Sequence, residues 1–376
     1  MMSLGLMEWT SRWLRVWRKD GRGDWFAEVL QDQASTLPLI VHCQRNRSAA
    51  WLAGLLGIGS RWQVGWPAWK MYFLKPAEVL TDFLPHWHLA KSWRIGTTTI
   101  STQQLLRLIL AQLAPVLQST KTWSLLLPSY CEEQQLTDFL RQLRQAGLKA
   151  DAVLAQDLAL ACAAWQQHGP WTAALLADLD DHALVVTQTI WNEPNLLISR
   201  RHVFPELGLR IWITRLVQAC ADLSVRQTRQ DPRLSREASQ LLYLQLTAAL
   251  SRLQNEPLSL HVHVPDFHAE LVLTPDLAKQ ACLPLAQMSA RIIRELYVPN
   301  TEVFLSQRFA ELPDVIRVVY QALGHRLPIF VMEQTPYLES AAQLTLTSSS
   351  EAVPAEQMPA LLWRHARSIH DWAETS

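Results

Sequence analysis

Three carboxylates, Asp178, Asp180 and Asp181, stand within four positions in the run LLADLDDHALVV. Oxygen donors so closely set could take Mg²⁺ or Ca²⁺. No glycine and distal glutamate of a calcium loop follow, so a solvated hairpin turn is the plainer reading. His261 and His263 alternate on one face of an expected strand, with His268 beyond a turn. Imidazoles in that pattern could ligate Zn²⁺ with a fourth group, against which stands the commoner solvent-facing strand histidine. The five cysteines, Cys43, Cys131, Cys162, Cys220 and Cys282, are odd in number and far apart, with no C-x-x-C. They support neither a zinc nor a redox motif and favour a reducing compartment. No G-x-S-x-G, H-E-x-x-H, Walker or Rossmann pattern occurs.

The elements that must position these groups alternate in type. SRWLRVWR and TLPLIVHC read as β segments, and WFAEVLQDQ between them as strand or helix. Residues 101–120 predict an amphipathic helix capped by Ser101 or Thr102, with Leu105, Leu106, Leu108, Ile109 and Leu113 on its apolar side. WSLLLP is a strand, and CEEQQLTDFLRQLRQAG a helix ended by Gly147. DAVLAQ is a strand, and LALACAAWQQHG a helix. Residues 171–204 read as successive strands with DLDD and NEPN turns. A helix from Leu209, a long helix over 235–254, and a hairpin of SLHVHVP with AELVLT follow. Next come a helix capped by Thr274 with Pro275 at its first position, the strand EVFLS, a helix in LPDVIRVVYQALG and the strand PIFVME. Residues 346–356 read as a linker and MPALLWRHARSIHDWA as a terminal helix. Such alternation is an α/β pattern with an inserted α+β subdomain.

Composition sets outer limits. The 376 residues are 49% hydrophobic and 18% charged, which is globular usage. Lys plus Arg and Asp plus Glu are both 34, so net charge gives no reason to expect nucleic acid or an anionic membrane. The N-terminal stretch is interrupted by Glu8, Arg12 and Arg15 before an apolar signal region could form, and no apolar run nears the roughly 20 residues of a membrane helix. A soluble, cytoplasmic protein without membrane insertion is expected. Glycine occurs 12 times, about 3% of the chain against a usual ~7%, and only Gly208 and Gly324 lie beyond residue 169.

Residues 125–165, LLLPSYCEEQQLTDFLRQLRQAGLKADAVLAQDLALACAAW, resemble the stretch of DnaK-type heat-shock ATPases in which a strand ending in "TVPAYF" leads through a helix to "AGL" and "NEPTAAALAY". Pro128, Tyr130, Gln134, Ala146-Gly147-Leu148 and Ala159 to Trp165 fall in register. LLADLDDHALVV stands where the family has "DLGGGTFDVS". LGLRIWITRLV is similar to "LGGEDFDNRLV", sharing Leu207, Gly208 and Arg215-Leu216-Val217. FLSQRFAELPDVIRVV falls at "LVGGSTRIPKVQ", with Pro313 matched. The order holds over roughly residues 25–345 at low identity. The resemblance implies an actin-like ATPase fold, bilobed, with two ribonuclease-H-like domains. Lobe I would cover 1–165, lobe II 166–345 with its insertion at about 205–300, and 346–376 would hold the linker and final helix.

Chemistry departs from that family at three places. Actin-like ATPases use glycine-rich hairpins to bring backbone N–H groups onto phosphates, with carboxylates placing Mg²⁺ and water. Leu6, Met7, Glu8 and Trp9 replace the first hairpin's aspartate-glycine-threonine set. Asp180 and Asp181 stand where second-hairpin glycines would be, and each carboxylate at ~4 Å from a phosphate charge costs about 1 kcal/mol even in water. Ser306 and Gln307 replace the adenosine glycines, and the basic clamp expected near Leu250–Gln254 is aliphatic and neutral. Asp178 survives, Asp157 stands near the family's glutamate, and Lys70 falls near a family lysine. Their plainer readings are a turn carboxylate, a helix cap and a surface lysine. The expectation is therefore a pseudo-ATPase with no cofactor, no metal and no catalytic residues.

Eight of the 17 tryptophans lie in the first 70 residues. They either fill a core vacated by nucleotide or, interleaved with Arg12, Arg15, Arg18, Arg45, Arg47 and Arg61, anchor a protein partner; a grip on single-stranded nucleic acid is disfavoured by the zero net charge. The chain is expected to act as a scaffold or regulatory subunit, with a chaperone-family protein as one candidate partner. Ending near residue 376, it would lack the family's peptide-clamping domain. The alternatives are a divergent ATP-binding ATPase and an actin-like platform of an envelope or secretion assembly.

Overall fold

The computed structural model describes residues 4–19, 25–44, 62–89, 92–95, 98–120, 122–131, 133–169, 171–192, 195–324, 328–333 and 365–366. The described residues divide into two compact units, one up to Gln156 and one from Asp157 onward. Both are mixed α/β.

In the first unit the strands are β1 (Leu4–Trp9), β2 (Trp13–Lys19), β3 (Trp25–Ala27), β4 (Thr36–Pro38), β5 (Val41–Cys43), β6 (Trp62–Val64), β7 (Val79–Leu80), β8 (Ser92–Ile95), β9 (Thr98–Ser101), β10 (Thr122–Leu127) and β11 (Ala152–Ala155). Its main sheet runs β11-β10-β1-β2-β3, with β4 also on β2. The first three strands are mutually parallel, and β1, β2 and β3 form an antiparallel meander. The described residues of β10 and all of β11 are buried, as continuous apolar runs covered on both faces must be. The helix Thr102–Gln112 starts where the Ser101 hydroxyl accepts the Gln104 N–H at 3.1 Å. It stops at Leu113, and Ala114–Ser119 resumes as a separate helix with Pro115 in its first turn. Pro115 has no N–H to continue the ladder, which breaks the single 101–120 helix expected. The helix Glu133–Ala146 ends at Gly147, whose φ of 113° is the left-handed end a glycine permits.

Trp9, Trp69, Trp87 and Trp123 of this unit are buried, and its other described tryptophans are half-buried. Trp9 and Trp69 are fully buried. Trp9 meets Phe139 edge-on at 5.3 Å, and Trp13 lies 5.7 and 5.0 Å from Trp66 and Trp69. No described tryptophan is exposed; Trp51, Arg45, Arg47 and Arg61 lie outside the described residues. Arg12 is inside this cluster at 1% exposure, 5.6 and 5.4 Å from the Trp69 and Tyr72 rings and 3.7 Å from Asp82.

In the second unit the strands are β12 (Ala173–Leu179), β13 (Leu184–Asn192), β14 (Asn195–Phe204), β15 (Leu258–Val264), β16 (Phe267–Leu273), β17 (Glu302–Ser306), β18 (Ile329–Met332) and β19 (His365–Ala366). The sheet order is β18-β17-β12-β13-β14-β19. β18, β17 and β12 are parallel, and β12, β13 and β14 form an antiparallel meander. Strand for strand this repeats the first unit: a central strand followed by two antiparallel neighbours on one side and two parallel ones, each reached through helix, on the other. Between β14 and β17 are inserted the helices Leu209–Thr228 and Arg236–Ala248, the β15–β16 hairpin and the helix Pro275–Leu296. The expected 235–254 helix is shorter, ending at Ala248 before a separate 3₁₀ turn at Arg252–Gln254. The Thr274 hydroxyl accepts the Leu277 N–H, so the cap and Pro275 stand as read. The expected C-terminal helix and the 346–356 linker lie outside the described residues, except that His365–Ala366 pair as strand with Leu196 and Leu197.

Candidate functional site

The repeat makes two strand positions equivalent. Glu8 is the penultimate residue of β1, and Asp178 is the penultimate residue of β12. Each lies just before the turn of its unit's first hairpin.

In the first unit the hairpin closes on itself. The Thr10 N–H donates to the Trp13 carbonyl at 2.8 Å, and the Thr10 hydroxyl oxygen accepts the N–H groups of Trp13 (2.9 Å) and Arg12 (3.3 Å). Thr10, Ser11 and Arg12 are all buried. Three backbone donors that a glycine hairpin would offer to an anion are thus occupied within the turn. Glu8 is buried too, receiving Arg15 Nη1 at 3.5 Å and Trp17 Nε1 at 3.4 Å. Lys70, on the helix Trp66–Leu74, is exposed.

The second unit brings four of the sequence-predicted positions together. Parallel pairing sets Ala177 against Leu305, so Asp178 and Ser306 are adjacent at the strand ends. Burial pushes the Asp178 carboxyl up to about 6, opposed by the nearby Ser306 hydroxyl and the Arg308 guanidinium and helped by Asp180. The Ser306 hydroxyl does not close a hydrogen bond of standard geometry, while the Leu179 N–H donates to Asp178 at 2.9 Å.

Asp180 and Asp181 are each only 4% exposed, which corrects the expectation of a solvated turn. The Asp180 N–H donates to the Ala183 carbonyl at 2.9 Å, and its carboxylate accepts the His182 N–H at 3.1 Å. Their carbonyls take a further role, for Asp180 accepts the Leu209 N–H at 3.0 Å and Asp181 the Arg210 N–H at 3.2 Å. The N-terminus of Leu209–Thr228, whose free N–H groups and dipole would otherwise suit an anion, is spent on the hairpin turn. Gly208 permits this contact. A Cβ there would lie 2.3 Å from the His182 carbonyl oxygen and 2.7 Å from that of Asp181.

At the position expected to face adenosine, Ser306 precedes the short helix Gln307–Ala310 and Gln307 is exposed. Gln307 donates to Glu311 at 2.8 Å. Gln254 donates to the carbonyls of Ala310 (2.5 Å) and Leu312 (3.1 Å), beside fully buried Leu253. The neutral residues noted around 250–254 therefore join the 3₁₀ turn to the segment after β17.

Asp157 is neither a cap nor a free carboxylate. It is 1% exposed, accepts the Thr187 hydroxyl at 2.9 Å and takes a two-pronged ion pair from Arg201 at 2.5 and 3.0 Å. It ties the start of helix Gln156–His168 to β13 and β14. Sequence reasoning missed Arg201 and Thr187. Thr187 stands directly opposite Arg201 only because the β13–β14 register shifts between Gln188 and Thr189, an irregularity that the sequence pattern does not announce.

Among the described residues no group of three or more His, Cys, Asp or Glu side chains is placed so that it could hold a metal ion. All five cysteines are buried and none is in a disulfide, and burial pushes Cys220 and Cys282 up to about 12, so those two are poor nucleophiles. No helix among the described residues is long and apolar enough to cross a membrane. Compared with known proteins, the chain matches no protein-family model and no curated sequence.

Proposed function

We propose that this chain is a non-catalytic, actin-like protein of DnaK type, built from two ribonuclease-H-like units with an α+β insertion in the second. It works as a scaffold or regulatory protein-binding subunit, with a chaperone-family protein as the first partner to test. The repeated strand order of the two sheets supports the fold assignment, as does the order of elements from β12 to β18. The observation that carries the loss of catalysis is the splice of the 180–182 turn onto the helix at Leu209. Carbonyl oxygens and buried carboxylates occupy the place where a phosphate would need N–H donors and no nearby negative charge.

Isothermal calorimetry with Mg²⁺ and ATP tests this reading. The expected result is no binding tighter than about 100 µM, equivalent to roughly −5.5 kcal/mol. Tighter binding that a substitution in the 178–182 turn weakens would overturn it. The scaffold role is tested separately with a purified DnaK-type chaperone. A stoichiometric complex that persists without nucleotide is expected, and its absence turns the search to envelope or secretion components.

A further inference from the structure

Charge is unevenly spread in a chain whose acids and bases balance. Residues 209–236, the helix Leu209–Thr228 and the turn after it, hold six arginines and two aspartates, a net +4. Arg215, Ala219, Asp222, Leu223 and Arg226 recur at intervals of three and four, so they share one face of that helix. There they form one wall of an open groove of about 320 Å³, and Leu277 and Ala281 of the helix Pro275–Leu296 stand on the other. The four apolar residues are half-buried, while Arg215 and Arg226 are exposed. Eleven residues of helix set the two arginines about 16 Å apart along the groove. Among the described residues neither arginine makes a hydrogen bond or an ion pair. Asp222, the acid among the lining residues, is instead engaged by Arg233 at 3.8 Å. Uncompensated positive charge thus stands at both ends of an apolar strip.

We propose, resting on the reading of the chain as a protein-binding subunit, that this groove takes an acidic amphipathic helix of a partner protein. Its apolar side chains would lie on Leu223 and Leu277, with Ala219 and Ala281 allowing close approach, the usual plan of a helix in a groove. Carboxylates three turns apart would meet Arg215 and Arg226, whose planar donors suit them. Charge complementarity selects an acidic occupant over a neutral or basic one. Nucleic acid fits less well. Among the described lining residues none is aromatic, so bases would have nothing to stack on, and Asp222 would face a run of phosphates.

The test is fluorescence anisotropy on the full chain at about 50 mM salt, using a labelled, capped peptide of about 18 residues, long enough to be helical by itself. Its sequence sets two glutamates eleven positions apart with leucines between them on the same face. Binding tighter than about 100 µM is expected, fading as salt rises to about 0.5 M. R215E/R226E should keep the wild-type circular dichroism and weaken binding at least about tenfold. The milder R215Q/R226Q should weaken it about threefold or more. A peptide with lysines for the two glutamates should reverse the preference, binding R215E/R226E more tightly than wild type. No binding of the acidic peptide, equal affinity of wild type for the two peptides, or affinity unchanged in both variants would overturn the proposal. So would tighter binding of a single-stranded oligonucleotide of about 20 nucleotides that is lost in the same variants. A chaperone complex that forms while the peptide fails would sink this groove alone. A groove that takes the peptide while no chaperone complex forms would sink only that choice of partner.

Discussion

Replacing Gly208 by alanine tests whether the 180–182 turn and the helix behind it are fused. Its φ of −59° and ψ of 152° suit any residue, so backbone conformation adds no cost. Alanine would even gain about 0.4–1 kcal/mol by restricting the unfolded chain. Space decides against it. The added Cβ meets the His182 carbonyl oxygen at 2.3 Å and carbon at 2.4 Å, about 1 Å short of the 3.4 Å of ordinary contact. These are backbone atoms and cannot swing aside. Relief means moving the turn off the helix, which lengthens the Leu209 and Arg210 hydrogen bonds to Asp180 and Asp181. Overpacking of this kind costs about 1–3 kcal/mol, and two weakened bonds add about 0.5–1.5 kcal/mol each. A net loss of about 3 kcal/mol follows, or a fall of roughly 6–12 °C in the melting of a unit this size. Hydrogen exchange should quicken first at amides 209 and 210. Gly324→Ala is the control, because nothing stands within 4 Å of its Cβ and only its φ of 82° opposes the change, at about 1–2 kcal/mol. A G208A protein within 0.5 kcal/mol of wild type, with unaltered exchange there, would refute the fused-turn reasoning.

Arg201→Ala should cost about 3–5 kcal/mol by leaving the Asp157 carboxylate buried without its guanidinium; thermal unfolding reads this, and a loss under 1 kcal/mol would mean the pair is not structural. Asp178→Asn should change the pH dependence of stability. Its folded-state value of about 6 lies above the ordinary 3.8, so its contribution is fully present below about pH 4 and is lost as pH rises through 6. D178N should therefore match wild type near pH 4 and exceed it at pH 7.5 by up to roughly 3 kcal/mol. Denaturant midpoints at the two pH values decide it, and an advantage that is the same at both would contradict the burial of that carboxyl.

Much of the second unit was legible because its local signals agree. Val, Ile and Leu runs between DLDD and NEPN, caps at Thr274 and Pro275, and the alternating SLHVHVP and AELVLT need no tertiary knowledge. Elsewhere long-range contacts decided. TLPLIVHC divides into β4 and β5 because β4 pairs with β2 and β5 with β6 and β7, a switch of partners that no run of apolar residues announces. LGLMEW, read as a degenerate hairpin, is the central strand β1, buried between β10 and β2. The burial of Asp180 and Asp181 was illegible for a similar reason. Two aspartates in a tight turn look solvated until a helix 28 residues downstream docks its N-terminus on their carbonyls.

On the proposed reading, glycine scarcity and acid burial at these two hairpins share one physical cause. A hairpin that must wrap a polyphosphate keeps its N–H groups pointing outward and unpaired until the ligand comes, a costly arrangement tolerated only where glycine lets the backbone adopt it. Both hairpins here use those donors at once: Thr10 collects them in the first, and the second turns its carbonyls toward another element's N–H groups. With no donors held in reserve, the side chains at 180 and 181 would take nothing further from phosphate binding. Placing glycine at both positions should therefore leave ATP binding undetectable, because the Leu209 and Arg210 amides remain occupied. Recovery of binding in D180G/D181G would instead show that charge alone excludes the nucleotide.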